Sequence, residues 1–235
     1  MRYIVMAALM AFGPLPSLAQ DEKQADQTHA GTELPALEEQ VIEENVALKS
    51  LAKIQGYMEN VRSLKADFLQ RAPNGNVAKG TLYMERPGKI RFDYAGDIPF
   101  LVVADGKTLN FIDYEIGQIT KWPVKDTPLR ALLGNSTDLL SINAHIETEP
   151  SGLKGLIALS AADPDKPELG QITAYFQEAP DQAGGLVLLS WVVIDAQGEA
   201  TTVEVSNTVT NTKLDSKLWA FKDPRAIANT RRTRR

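Results

Sequence analysis

The chain contains no cysteine and only two histidines in 235 residues. The first absence excludes disulfides, thiolate metal ligands and a cysteine nucleophile, and leaves packing to hold any compact state. The second, with His29 and His145 far apart in the sequence, leaves no cluster with metal-ligand spacing. Neither a G-x-S-x-G elbow nor a G-x-x-x-x-G-K-[ST] loop occurs, so the commonest signatures of hydrolase and nucleotide chemistry are missing as well. Carboxylates such as Asp93 and Asp97 could in principle act as acid and base, yet nothing in the sequence isolates them from water. Basic residues are in the minority, 25 Lys and Arg against 30 Asp and Glu. A net charge of −5 is poorly suited to neutralising phosphates, so no nucleic-acid partner is expected. Catalytic residues, metals and cofactors are all expected to be absent.

Long apolar runs are scarce too. The one candidate, Ile4 to Phe12 behind Arg2, is too short to reside in a bilayer as a helix. With Ser17 and Ala19 at the small-residue positions of a cleavage site, residues 1–19 have the layout of a signal peptide, which predicts export to the periplasm and a soluble mature chain. Residues 20–44 carry eight acids against Lys23, a composition that predicts a disordered acidic leader. Residues 45–224 suffice for a single domain with a substantial core. Residues 225–235 hold Arg225, Arg231, Arg232, Arg234 and Arg235 without an acid; such a basic tail could contact anionic lipid headgroups or pair with the acidic leader, and a solvated terminus is the favoured expectation.

What is present is periodicity. Leu48, Leu51, Ile54, Met58 and Val61 recur at spacings of three and four, which predicts a helix with one dry face between Val41 and Val61, weakened by Gly56. From Ser63 to Arg71 the period switches to two. The stretch Gly80 to Tyr94 then reads as a hairpin: Leu82, Met84 and Arg86 share one face of the first strand, and Ile90, Phe92 and Tyr94 share one face of the second. Pro87 and Gly88 suit a type II turn between them. The odd member is Arg86, a cation on an apolar face. It either slips out to solvent at the hairpin tip or finds carbonyls and carboxylates for its donors at the rim of an apolar surface.

Further strands are predicted at Phe100–Ala104, Thr108–Asp113 and Ile116–Trp122, with an Asp105-Gly106 turn joining the first two. Thr127 and Pro128 suit the start of a helix through Leu129, Leu132 and Leu133 to a stop at Gly134, and a second short helix is expected over Asn135–Ile142. Strands resume at Gly155–Ser160, Gly170–Gln177, Leu186–Asp195, Ala200–Thr208 and Leu218–Phe221. Consecutive hairpins without βαβ alternation argue for one antiparallel sheet with helices on one face.

The runs VRSLKADFLQ, GTLYMERPGKIRFDY and VVADGKTLNFID together resemble the LolA-type periplasmic carriers of outer-membrane lipoproteins, over roughly Ile54 to Pro224 and most densely between Val61 and Trp122. That resemblance implies a mainly β fold, an incomplete, half-open antiparallel β-barrel with a lid of about three α-helices over its concave apolar face. It implies a monomeric, non-enzymatic chaperone that shields the acyl chains of lipoproteins and moves them from an inner-membrane ABC-type release complex to an outer-membrane acceptor. Arg86 matches the arginine of the family's R-P motif, which implies a latch onto lid backbone carbonyls that exchanges when cargo enters. Ile90 and Phe92 fall where the family places bulky cavity residues. The acyl-chain lining is expected from Phe68, Leu82, Met84, Ile90, Phe92, Leu101, Val103, Leu109 and Phe111 on the sheet, and from Leu129, Leu132, Leu133, Leu139 and Leu140 on the lid. Leu101 and Val103 lie in a run, FLVVA, whose two faces are equally apolar, so alternation does not choose between them. A lipid- or lipoprotein-sensing regulatory domain of the same fold and a non-carrier binding module fit the same pattern.

Overall fold

A computed structural model describes residues 33–136, 139 and 142–225, with side chains from Glu44 onward. The signal-peptide stretch, residues 20–32, Leu140 and the arginines from Arg231 on lie outside them. The first element is a long helix, α1 (Glu33–Asn60). It begins inside the acidic stretch that composition alone assigns to a disordered leader, so residues 33–44 are helical. The physical reason is that Ala, Leu and Glu are strong helix formers, Pro35 falls in the first turn where a missing N–H is harmless, and acids there favour the helix dipole. The dry stripe lies where the periodicity puts it, with Ile54, Met58 and Val61 buried and Leu51 packed against them; Tyr57 joins it, and Leu48, 57% exposed, falls outside it.

Eleven strands follow: β1 (Ser63–Arg71), β2 (Val77–Glu85), β3 (Lys89–Tyr94), β4 (Phe100–Asp105), β5 (Thr108–Asp113), β6 (Gln118–Pro123), β7 (His145–Thr148), β8 (Leu156–Ala162), β9 (Gln171–Glu178), β10 (Leu186–Ile194) and β11 (Ala200–Thr210). They form one antiparallel sheet in the order β6-β5-β4-β3-β2-β1-β11-β10-β9-β8-β7. Two meanders are thus joined at the middle, where β1 pairs with β11. The two edge strands, β6 and β7, are consecutive in sequence, so the segment between them has to cross one face of the sheet. That segment carries α2 (Arg130–Leu133).

The sheet is curved. Strands β3 and β10 are four strand steps apart, about 19 Å in a flat sheet. The Phe92 and Trp191 rings they carry nevertheless meet with centroids 6.2 Å apart. Among the described residues the α-helices are α1 and the four-residue α2, supplemented by short 3-10 turns, and not a lid of three α-helices. Leu218–Phe221 is no strand, because Ser216–Trp219 forms a 3-10 turn capped by the Asp215 carboxylate, which accepts from the Lys217 N–H. Strand β7, around His145, was not legible from its four residues alone. Thr127 does not cap α2; its hydroxyl is buried and donates back to the Val124 carbonyl at 2.8 Å.

Candidate functional site

Arg86 follows β2 directly and keeps the phase of Leu82 and Met84, so its side chain stays on the concave face instead of escaping to solvent. It is 6% exposed. Its Nε donates to the Leu132 carbonyl of α2 at 2.9 Å, and its Nη1 donates to the Val61 carbonyl, just past the end of α1, at 2.7 Å. The guanidinium carbon stands 5.3 Å from the centre of the Tyr57 ring. One buried cation therefore ties together a hairpin of the sheet and both helical covers, and it does so through neutral carbonyls.

Burial pushes the Arg86 guanidinium below an arginine's ordinary pKa, and Tyr57 beside it works in the opposite direction. Burial likewise pushes the Tyr57 hydroxyl up, and the neighbouring cation offsets part of that. An arginine nonetheless stays charged near neutral pH. Arg86 and the Tyr57 hydroxyl interact with each other in that contact, and neither Arg86 Nη2 nor the hydroxyl has another hydrogen-bond partner among the described residues. The closed arrangement is thus held by two bonds to main-chain carbonyls and by the contact with Tyr57.

The turn itself adds a third tie. The Gly88 N–H donates to the Leu133 carbonyl at 2.8 Å, and the Arg86 N–H to the Arg62 carbonyl at 2.8 Å. Gly88 has φ +78°, and a Cβ there would stand 2.5 Å from the Gly106 carbonyl oxygen of the next hairpin tip. Only glycine lets the two tips meet. Gly88 thus takes the positive φ that the sequence asks of it in this turn, and the Arg86–Pro87 peptide is cis. On the other side of α1, a Cβ at Gly184 would stand 2.7 Å from the Tyr57 Cα, so close backbone approach seats the helix there as well.

The expected lining separates into three groups. Phe68, Leu82, Met84, Ile90, Phe92, Leu109, Leu132, Leu133 and Leu139 are buried in one apolar cluster between sheet and cover, with Leu129 packed against it. Phe111 shares the face of Leu109 but is only half-buried, stacked on Phe100 at 5.6 Å. Leu101 and Val103 are a correction: they belong to a second cluster with Ile112, Ile119 and Phe221 on the opposite face. Residues 100, 102 and 104 take the concave side, as Val102 and Ala104 in the main cluster show.

Sequence reasoning also missed half of the interior, including Ile157, Phe176, Leu188 and Trp191 from β8 to β10. In β10 the register shifts between Leu188 and Ser190, which moves the inward positions from even to odd numbers. A bulge of this kind is invisible to a period-two scan. Tyr57 was within reach, three residues after Ile54 on the same helical stripe. The carboxylates considered as an acid and base pair are apart in role: Asp93 accepts from Arg91 Nε at 2.7 Å, and Asp97 is exposed.

With this geometry in place, comparison with known proteins adds a family. The family model of the outer membrane lipoprotein carrier protein LolA matches residues 59–222. The outer-membrane lipoprotein carrier protein of Chromobacterium violaceum is 27% identical over 187 residues, which cover 76% of this chain and 85% of its own. That of Nitrosospira multiformis is 26% identical over 189 residues, covering 75% and 86%. Among solved structures, a LolA superfamily protein from Nitrosomonas europaea aligns at a TM-score of 0.40 and 9% identity, covering 74% of this chain and 97% of that one. The matched region runs from the end of α1 through the whole sheet, and this chain belongs to the LolA family.

Proposed function

We propose that this protein is a periplasmic carrier that takes the acyl chains of lipoproteins between its sheet and helical cover. It collects them from an inner-membrane ABC-type release complex and passes them to an outer-membrane acceptor, as a monomer and without catalysis. The names of the relatives support the cargo class. The observation that carries the reading is the buried Arg86, which holds the covers by exchangeable bonds to neutral carbonyls over an apolar interior.

Magnitudes favour opening by cargo. The interior residues are buried in their own packing, so an acyl chain enters only if α2 and the end of α1 move off the sheet. Two hydrogen bonds from a charged donor contribute about 1.5–3 kcal/mol each. Burying a sixteen-carbon chain is worth roughly 12 kcal/mol at about 0.8 kcal/mol per methylene. Loading can therefore displace the latch, while re-forming it in the empty carrier offsets part of the cost of release.

The test uses inner-membrane vesicles that carry a labelled acylated lipoprotein together with its release complex. Added protein is expected to bring the label into a soluble complex that a membrane-bound acceptor then strips. A folded protein that leaves all label in the vesicles overturns the reading.

A further inference from the structure

The two covers are not anchored alike. Helix α1 has ties of its own that do not involve Arg86: the Ser50 and Thr148 hydroxyls of α1 and β7 meet at 3.0 Å, Lys53 pairs with Glu178 at the end of β9, and the Asn211 side chain donates to the Asn60 carbonyl at 2.8 Å. The four-residue α2 depends more on the latch. Its Leu132 and Leu133 carbonyls accept from Arg86 and Gly88, and Arg130 adds a pair with Asp163, just after β8, at 3.0 Å. When cargo moves α2 off the sheet, Arg86 loses the acceptor of its Nε.

What stays beside the guanidinium is Tyr57. The residue is fully buried, its ring stands edge-on to Phe176 of β9 with centroids 5.3 Å apart, and the backbone at Gly184 closes on its Cα, so it is seated without help from the latch. Its ring lies under the guanidinium carbon at 5.3 Å, and a cation–π contact is strongest where water is excluded. The other latch acceptor, the carbonyl of Val61, lies one turn further on, and the Val61 N–H donates to the Tyr57 carbonyl at 2.8 Å. Plain core packing would account for the ring against Phe176 but not for a cation over its face. We propose that Tyr57 is a positioning residue for the latch: with Leu132 withdrawn, its ring keeps the Arg86 guanidinium turned toward α1, ready to recapture the Leu132 carbonyl when cargo leaves. The inference rests on the carrier reading and deepens it, adding a second side chain to the opening and closing of the same site.

The test is a double-mutant cycle on handover of lipoprotein from the loaded protein to a membrane-bound acceptor. Tyr57→Leu is expected to slow handover about tenfold in the otherwise unaltered protein, and to change it less than about twofold in an Arg86→Leu background, where no cation is left to hold. Tyr57→Phe keeps the ring and is expected to stay within about threefold of the unaltered protein. Should the leucine variant fail to fold, Tyr57→Met, which fills the space without a ring, takes its place in the cycle. An equal loss with and without Arg86 makes the tyrosine a packing residue and overturns the proposal, as does normal handover by Tyr57→Leu. A loss in Tyr57→Phe as large as in Tyr57→Leu overturns the role of the ring. If the unaltered, folded protein takes up no lipoprotein at all, the carrier reading falls and this inference falls with it.

Discussion

Two arginines on neighbouring stretches of the same hairpin do the same job on opposite faces of the sheet. Arg86 holds the helical cover of the concave face through the carbonyls of Leu132 and Val61. Arg91, on β3, holds the C-terminal segment against the other face through the carbonyls of Leu218 at 2.9 Å and Ala220 at 3.1 Å. Under that segment Phe221 closes the small cluster of Leu101, Val103 and Ile112. The difference is the counter-charge. Arg91 pairs with Asp93 at 2.7 Å and is partly open to water, whereas Arg86 is buried beside a neutral tyrosine and its hydrogen bonds go to carbonyls. A cation with its own carboxylate is compensated whatever else it touches, so its strap has no reason to move. A buried cation held only by carbonyls sits closer to exchange, because another acceptor can replace them at little cost.

The sharpest way to break the comparison is to replace each arginine by leucine. Arg86→Leu removes a buried charge but leaves the Leu132 and Val61 carbonyls without their donor, so the two effects offset and the variant is expected to stay folded with thermal stability little changed. Handover of lipoprotein to the acceptor is expected to fall more than tenfold, since the bonds that re-form on release are gone. Normal handover by this variant would remove the latch role. On the opposite face, Ile112→Ala is expected to cost about 2–5 kcal/mol in urea denaturation while handover by the folded protein is unchanged. Arg91→Leu should lie below that, about 1.5–3 kcal/mol of stability with handover intact; a transfer defect there would erase the distinction between strap and latch.

The smallest effect is one of pH. Burial raises the pKa of both Tyr57 and Tyr94 on the concave side, Tyr94 donating its hydroxyl to Gln70 at 2.8 Å. The folded state then keeps protons that the unfolded chain sheds near the ordinary tyrosine value of about 10. Stability from these groups is fully present below that pH and is lost as pH rises through the folded values. A denaturation midpoint that is flat from neutral pH to about 9 and declines beyond about 10 is expected, with a shallower decline in Tyr94→Phe. An unchanged slope in that variant would show that Tyr94 contributes none of it.

Local pattern carried much of the fold. Strands β1 and β5 occupy the spans that alternation predicts, Ser63–Arg71 and Thr108–Asp113, and the inward set Leu82, Met84, Ile90 and Phe92 follows from period two alone. Alternation failed where both faces are apolar, as at Leu101 and Val103, and where a bulge changes the count, as in β10. It also failed at the acidic N-terminal stretch, because the composition of a disordered leader and that of the first turns of α1 overlap.

By itself the sequence determined a cysteine-free, mainly antiparallel chain of the LolA family, with one arginine marked as out of place on a dry face, since these follow from composition, period and motif. Only the tertiary structure decided what that arginine holds. Its partners are main-chain carbonyls at Val61 and Leu132, 25 residues before it and 46 after, and a carbonyl carries no signature in side-chain sequence.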